Sequence, residues 1–572
     1  MTRYRIFPGL IALLGLSLAA TSPAAQAQSS KQQLPEHGIE LSLDREYGRV
    51  PTEPNEEHII AKWVLSEKEF ERQARKAKAP RDEWDGSFDA MRPELRLVKL
   101  LREPDPEAGG GSVVIIAGSE NDPDFNPTLP LNSTARYLAR EMRGRHRVGS
   151  SEQGKGLKGW TVTEMPLGPG KNKRSGVEAW AYEYRNDDEI FVFIGEAHPT
   201  MMKPAMKDWK RAAERIAFGE KVDVASQLRD KHYSKASTRD LLDIDYRVTV
   251  RMDVVEDWKV IDTDNYIFVY HEDCNENFVK RISKEVEAMR SFYEKLFPPT
   301  EKVTAVSTVR ICADGDMYRA YGGPSGSGGY WNSRDEELVF YDYANEKDTG
   351  GGQGRRDMRI VTYHEAFHQY IYYSTGELAP HSWFNEGTGD YFSGADIQGN
   401  KVKKVDPNAW RLQTIRDAIR EERYVSLSEL VNYSQAEYYR NAGLCYAEGW
   451  SLIYFLRESS VVKKDDRWSQ ILDIYFETLK REYAAEMGEL KKGRARFQPE
   501  ADGEEDGEDD DEDDDGEDDD GGEAPEVVGG VVLYGGSFFA GETAREKAVE
   551  AAFKGVDMNE LEEEWKEFIL KL

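Results

Sequence analysis

Tyr363-His364-Glu365-Ala366-Phe367-His368-Gln369, followed after a short gap by Trp383-Phe384-Asn385-Glu386-Gly387, is the stretch that decides the fold. The first piece matches H-E-x-x-H. On a helix, His364 and His368 stand one turn apart on the same face, where two imidazoles can grip one Zn²⁺. Glu365 then lies beside them, placed to accept a proton from an attacking water. Ile360, Val361, Phe367, Tyr370 and Ile371 give apolar cover, and no glycine or proline interrupts Ile360 to Thr375. The spacing predicts a buried helix there. With only nine histidines in 572 residues, a chance match is improbable, so the motif is read as chemistry.

A catalytic zinc needs a third protein ligand. A metzincin would carry glycine at 371 and histidine at 374, but Ile371 and Ser374 stand there, which excludes that class. The other common solution is a glutamate from a following helix. Glu386 lies eighteen residues past His368, with Gly376 and Pro380 to break the first helix and Asn385 as a cap for the second. His381 and Glu377 are competing third ligands. Asp390, four residues beyond Glu386, falls on the same helical face and could orient a ligating imidazole.

The run H-E-A-F-H with W-F-N-E-G-T-G-D-Y-F resembles the gluzincin pattern of peptidase-MA-like metallopeptidases. More closely, it is similar to the secreted peptidase-MA-like domains of unknown function frequent in planctomycete-type bacteria. Upstream, Tyr266 to Pro299 and Val303 to Cys312 extend the resemblance. Downstream, Tyr446-Ala447-Glu448-Gly449-Trp450 and Glu564-Trp565-Lys566-Glu567-Phe568 continue it through the second half of the chain. The resemblance implies a zinc site at His364, His368 and Glu386 with Glu365 catalytic, and it places Tyr446 toward the cleft. A phenol there could donate to the oxyanion of a tetrahedral intermediate; plain packing beside Trp450 is the other reading. By the same resemblance, Glu337 to Tyr343 is the candidate edge strand for extended substrate; an ordinary inner strand is the other reading.

At the start of the chain, Arg3 and Arg5 precede an apolar run from Ile6 to Ala20, and Ala25-Gln26-Ala27 offers a cleavage site. This reads as a secretory signal peptide over 1–27, leaving no stable membrane span after cleavage. Residues 28–58, polar and punctuated by proline, read as a linker. Residues 59–221 read as a small N-terminal α+β domain: a capping box at Ser66 to Glu69 opens a helix to about Lys78, and strands run at 112–117, 160–165, 177–184 and 189–195. The last two flank a polar hairpin connection, and Met201 to Phe218 reads as an amphipathic helix. A charged linker over 222–245 leads to residues 246–572, the zincin-like domain.

That domain is expected to hold a small mixed sheet, the active-site helix and a mostly helical C-terminal part, making the whole chain α+β. Tyr246 to Val254 and Tyr266 to His271 read as strands. Phe278, Ile282, Val286, Met289, Tyr293 and Leu296 form a helical stripe, and Thr349 to Gly354 reads as a loop. Later helices are expected at 410–420, 426–431, 442–458, 543–553 and 558–570. The net charge is −31, and Asp502 to Glu523 alone contributes 17 negative charges. Such a segment has too little apolar content to fold, so 499–525 reads as a disordered insertion with a capacity for loose divalent-cation binding. Nothing in the chain is basic enough for nucleic acid. Three scattered cysteines make no disulfide framework and read as core residues.

These readings converge on an exported zinc metallopeptidase that cleaves peptide bonds in a peptide or protein substrate, in the periplasm, cell envelope or medium. The alternative is a zinc-binding pseudopeptidase or cell-envelope interaction protein without catalysis.

Overall fold

Strand pairing in the computed structural model divides the sheets between the two halves of the chain. It describes residues 29–52, 56, 58–77, 92–101, 131–171, 177–238, 240–324, 327–333, 336–345, 351–496 and 536–572. The architecture is mixed α+β, as the sequence predicts. The first half is built on an antiparallel sheet in the order Tyr47–Val50, Ile59–Leu65, Glu94–Leu100, Ile190–Ala197, Glu178–Arg185, Thr161–Pro169, His146–Val148, with Glu152–Gln153 paired beside it. The expected hairpin is present, and Asn186 shapes its turn by accepting the amide N–H groups of Asp188 and Glu189 at 2.8 and 2.7 Å. Helix Pro199–Ala213 covers one face through Met201, Ala205 and Trp209.

Several expectations are corrected in this half. Residues 28–58 are no plain linker: Ser29–Leu34 and Ile39–Asp44 pair antiparallel, and Tyr47–Val50 joins the larger sheet. Ile39, Leu41 and Leu43 alternate inward with strand period and are buried, a signal hidden by nearby prolines and charges. The helix expected to reach Phe218 stops at Ala213, and Ala217–Phe218 pairs with Ile39–Asp44 instead. Residues 222–245 hold helix Val224–Tyr233 and the start of Ile244–Met252. The latter replaces the strand expected at 246–254. Asp243 caps it by accepting from Tyr246 N–H, and the fully buried Arg247 guanidinium bonds the carbonyls of Leu242, Thr263, Asp264 and Tyr266. The signal peptide expected at 1–27, the strand expected at 112–117 and the acidic run at 499–525 lie outside the described residues. Among the described residues no helix is long and apolar enough to cross a membrane.

The second half carries a five-stranded sheet in the order Trp258–Asp262, Tyr266–His271, Ser307–Cys312, Glu337–Tyr341, Gly329–Asn332. The three central strands run parallel, and both outer ones are antiparallel to their neighbours. Helix Glu276–Leu296 makes the crossover between the first two parallel strands and buries its predicted stripe. The edge is therefore Gly329–Asn332; Glu337–Tyr341 is paired on both sides. The glycine-rich approach to this strand disguises it as a turn. All three cysteines are buried and free, with Cys274 and Cys312 in different cores.

Helix Gly351–Ser374 carries the histidines and begins inside the segment expected to be a loop. It packs on Glu276–Leu296, where Tyr293 Oη donates to the Tyr363 carbonyl at 2.7 Å. Helix Ser382–Phe392 carries Glu386 and crosses helix Ala442–Glu458 in backbone contact: a Cβ on Gly387 would stand 2.5 Å from the Gly449 carbonyl oxygen. Only glycine permits that approach. The expected C-terminal helices are present as Ala409–Arg420, Leu427–Leu430, Ala442–Glu458, Gly536–Phe553 and Met558–Lys571, with Gln435–Arg440 and Ile471–Arg496 in addition.

Glu448 lies fully buried in that helical part. One oxygen accepts Val425 N–H at 2.6 Å, and the other has no hydrogen-bond partner among the described residues. Burial pushes its carboxyl up to about 8 from an ordinary 4.5. The folded chain thus favours the neutral form. That contribution is complete below the unfolded value near 4.5 and is lost as pH rises to about 8, an effect on the order of 3–5 kcal/mol. Glu448→Gln keeps the acceptor and cannot ionise. It is expected to melt with wild type below pH 4.5 and above it at pH 8 and higher, by thermal denaturation across that range.

Candidate metal centre

The site is made by a helix, a turn and a second helix. Helix Gly351–Ser374 stacks His364 over His368 with ring centroids 4.6 Å apart and planes at 86°. Two successive residues of positive φ, Gly376 at 79° and Glu377 at 74°, then reverse the chain. Gly376 and Glu377 N–H return to the carbonyls of Tyr373 and Tyr372, satisfying the helix end. His381, not Asn385, stands at the N-cap of the next helix. Pro380 makes that helix start three residues before the expected cap, and this frees Asn385 to face His368.

On that second helix Glu386 is buried, with Oε2 3.1 Å from His364 Nε2 and 3.3 Å from His368 Nε2. His364, His368 and Glu386 form a group that could hold a metal ion, one donor atom from each and all within 4.8 Å of one another. The outer ring nitrogens are spoken for. His364 Nδ1 is 3.3 Å from Asp390 Oδ1, and His368 Nδ1 is 3.0 Å from Asn385 Oδ1. Both are acceptor oxygens, so each Nδ1 carries a proton, and each Nε2 is the nitrogen that would offer its lone pair to a bound cation. Two lone pairs and a carboxylate oxygen then converge on one point. Such a donor set repels itself unless a positive charge sits among it, and the residues fit a divalent cation of the zinc type.

The electrostatics say the same. Burial alone would push both imidazoles down. For His364 the bonds to Asp390 and Glu386 outweigh it, and for His368 the Glu386 charge does, so both are held above the ordinary range. Glu386 is held well below its own range, because His368 and His364 outweigh burial. Glu365 is pushed up by burial, in part opposed by the two imidazoles. Its Oε2 accepts the Trp331 backbone N–H at 3.0 Å, which ties it to the edge strand Gly329–Asn332.

Asp390 is anchored in turn by Arg411 Nε, 2.6 Å from Oδ2. The Arg411 guanidinium lies 4.8 Å from the Tyr446 ring centre, and that ring is 6.4 Å from and nearly parallel to His364. Tyr446 therefore faces the group, as the sequence reading places it. Of the competing ligands, His381 is bonded to Tyr475 Oη and burial pushes its imidazole down to about 3, while Glu377 is exposed at the turn. Neither joins the group. Sequence reasoning misses Tyr439, whose hydroxyl donates to Glu386 Oε1 at 2.6 Å. It stands on the six-residue helix Gln435–Arg440, and the Ser434–Glu437 capping box is the one local signal of that helix in the sequence.

Comparison with known proteins is sparse. A family model described as a protein of unknown function, DUF1570, matches residues 360–469, a stretch that contains all three members of the group. No curated protein matches. Among solved structures, the solution structure of cyanobacterial PsbP (CyanoP) from Synechocystis sp. PCC 6803 is 10% identical, over 35% of this chain and 99% of that one, with a TM-score of 0.21. At that score the likeness carries no argument.

One glycine controls the geometry of the first imidazole. A Cβ on Gly389 would stand 2.8 to 3.0 Å from Nδ1, Cε1 and Cγ of His364. Gly389→Ala would on helix propensity alone stabilise the chain by about 1 kcal/mol. It is instead expected to displace His364 and weaken metal affinity by at least about tenfold, as a competitive chelator titration would read.

Proposed function

We propose that this chain is an exported zinc-dependent metallopeptidase that hydrolyses peptide bonds. The observation that carries the reading is the convergence of His364 Nε2, His368 Nε2 and Glu386 Oε2 within 3.1–3.3 Å contacts, with Glu365 one residue from the first histidine. Zinc held there would polarise the scissile carbonyl and make an attacking water acidic near neutrality. Glu365 would accept the proton of that water and return it to the leaving amine. Asp390 and Asn385 fix the two imidazoles by their Nδ1 protons. Tyr446, beside His364, is the candidate donor to the developing oxyanion.

The substrate is a peptide or protein in extended form. The strand Gly329–Asn332 supports this: it ends the sheet order, with Glu337–Tyr341 as its one strand neighbour among the described residues, and its Trp331 N–H is bonded to Glu365. Export rests on the charged and apolar pattern of residues 1–27.

Glu365→Gln is the decisive variant. Zinc-loaded wild type is expected to cleave members of a mixed peptide library, and the variant to lose at least about 10²-fold in rate while retaining its zinc. Equal product profiles from the two, or none from either, would leave a zinc-binding module without catalysis.

A further inference from the structure

The two oxygens of Glu386 are not equivalent. Oε2 faces both histidines, at 3.1 and 3.3 Å, while Oε1 accepts the Tyr439 hydroxyl at 2.6 Å. We infer that Tyr439 is a positioning residue that restricts Glu386 to a single ligating oxygen and so keeps one coordination position open. This rests on the metal-centre reading proposed above and goes beyond it.

The Tyr439 hydroxyl makes the 2.6 Å bond to Oε1, and the Tyr446 hydroxyl, hydrogen-bonded to both Tyr439 and Glu386, stands beside it. Tyr439 is 40% exposed, so it stands at the open side of the group, where the second carboxylate oxygen would otherwise be free to turn inward. Its neighbour Tyr438 is buried and docks the short helix: a Cβ on Gly449 would lie 2.5 Å from the Tyr438 hydroxyl. Tyr439 is thus delivered from a helix seated on the same Ala442–Glu458 helix that Gly387 touches. Carboxylate and phenol are referenced to one surface. A hydroxyl bonded to an ionised carboxylate is a charge-assisted donor, about twice as strong as a neutral one. Catalytic zinc sites hold three protein donors and leave the fourth position for water or substrate. A carboxylate released to bind through both oxygens would compete for that position.

The test uses Co²⁺ in place of zinc, in the full chain, comparing wild type with Tyr439→Phe. The variant removes one hydroxyl and keeps the ring contacts with Tyr438 and Tyr446. Four-coordinate Co²⁺ absorbs visible light more intensely than five- or six-coordinate Co²⁺. Wild type is expected to show the intense spectrum. Tyr439→Phe is expected to show a weaker, shifted one, with metal affinity changed by about tenfold in a chelator competition. An unchanged spectrum and affinity in Tyr439→Phe would overturn the role of Tyr439 and leave the metal centre standing. A wild type that takes up no Co²⁺ would overturn both.

Discussion

The candidate metal centre answers to one electrostatic constraint. Two imidazole nitrogens lie 3.1 and 3.3 Å from one carboxylate oxygen, all three within 4.8 Å of one another in a nearly buried place. Left alone, they repel. Protons can relieve the repulsion, and the raised imidazoles and depressed carboxylate are the mark of that demand. A divalent cation relieves it better, because it satisfies all three donors at once. The partners behind the donors push the same way: Asp390 and Asn385 fix the Nδ1 protons, Arg411 steadies Asp390, and Tyr439 holds the far oxygen of Glu386.

That arrangement requires a rigid frame, and the frame is built from close backbone approaches. The turn at Gly376 and Glu377 sets the direction of the second helix, while Gly387 and Gly449 let it sit directly against Ala442–Glu458. Helix Glu276–Leu296 braces the histidine helix from the sheet side through Tyr293. The edge strand is tied in by the bond from Trp331 N–H to Glu365 Oε2. The link from fold to chemistry is short: the strand where an extended chain would lie is bonded to the residue that would move the proton.

Most of the site was legible in the sequence because its parts obey local rules. A helical period separates His364 from His368, and four residues separate Glu386 from Asp390. Asparagine favours a cap, which makes Asn385 the local choice, whereas the helix begins at Ser382 with His381 at its N-cap. Tyr439 was not legible: it reaches Glu386 across 53 residues, from a six-residue helix whose one local signal, the Ser434–Glu437 capping box, marks a helix start and no ligand. The fold shows the same division. The buried crossover helix and the hairpin followed from periodicity. The strands within residues 28–58 and the edge strand were hidden by proline and glycine. The helix at Ile244–Met252 was read as a strand, since its alternation concealed the capping by Asp243 and the buried bonds of Arg247.

The central claim is that His364, His368 and Glu386 form a metal site. It is tested most directly by the metal content of the purified protein, wild type beside His364→Ala and Glu386→Ala, by elemental mass spectrometry. The account predicts about one zinc per chain in the wild type and loss in both variants. Wild-type protein that holds no zinc even after supplementation, or variants that hold as much as the wild type, would contradict it.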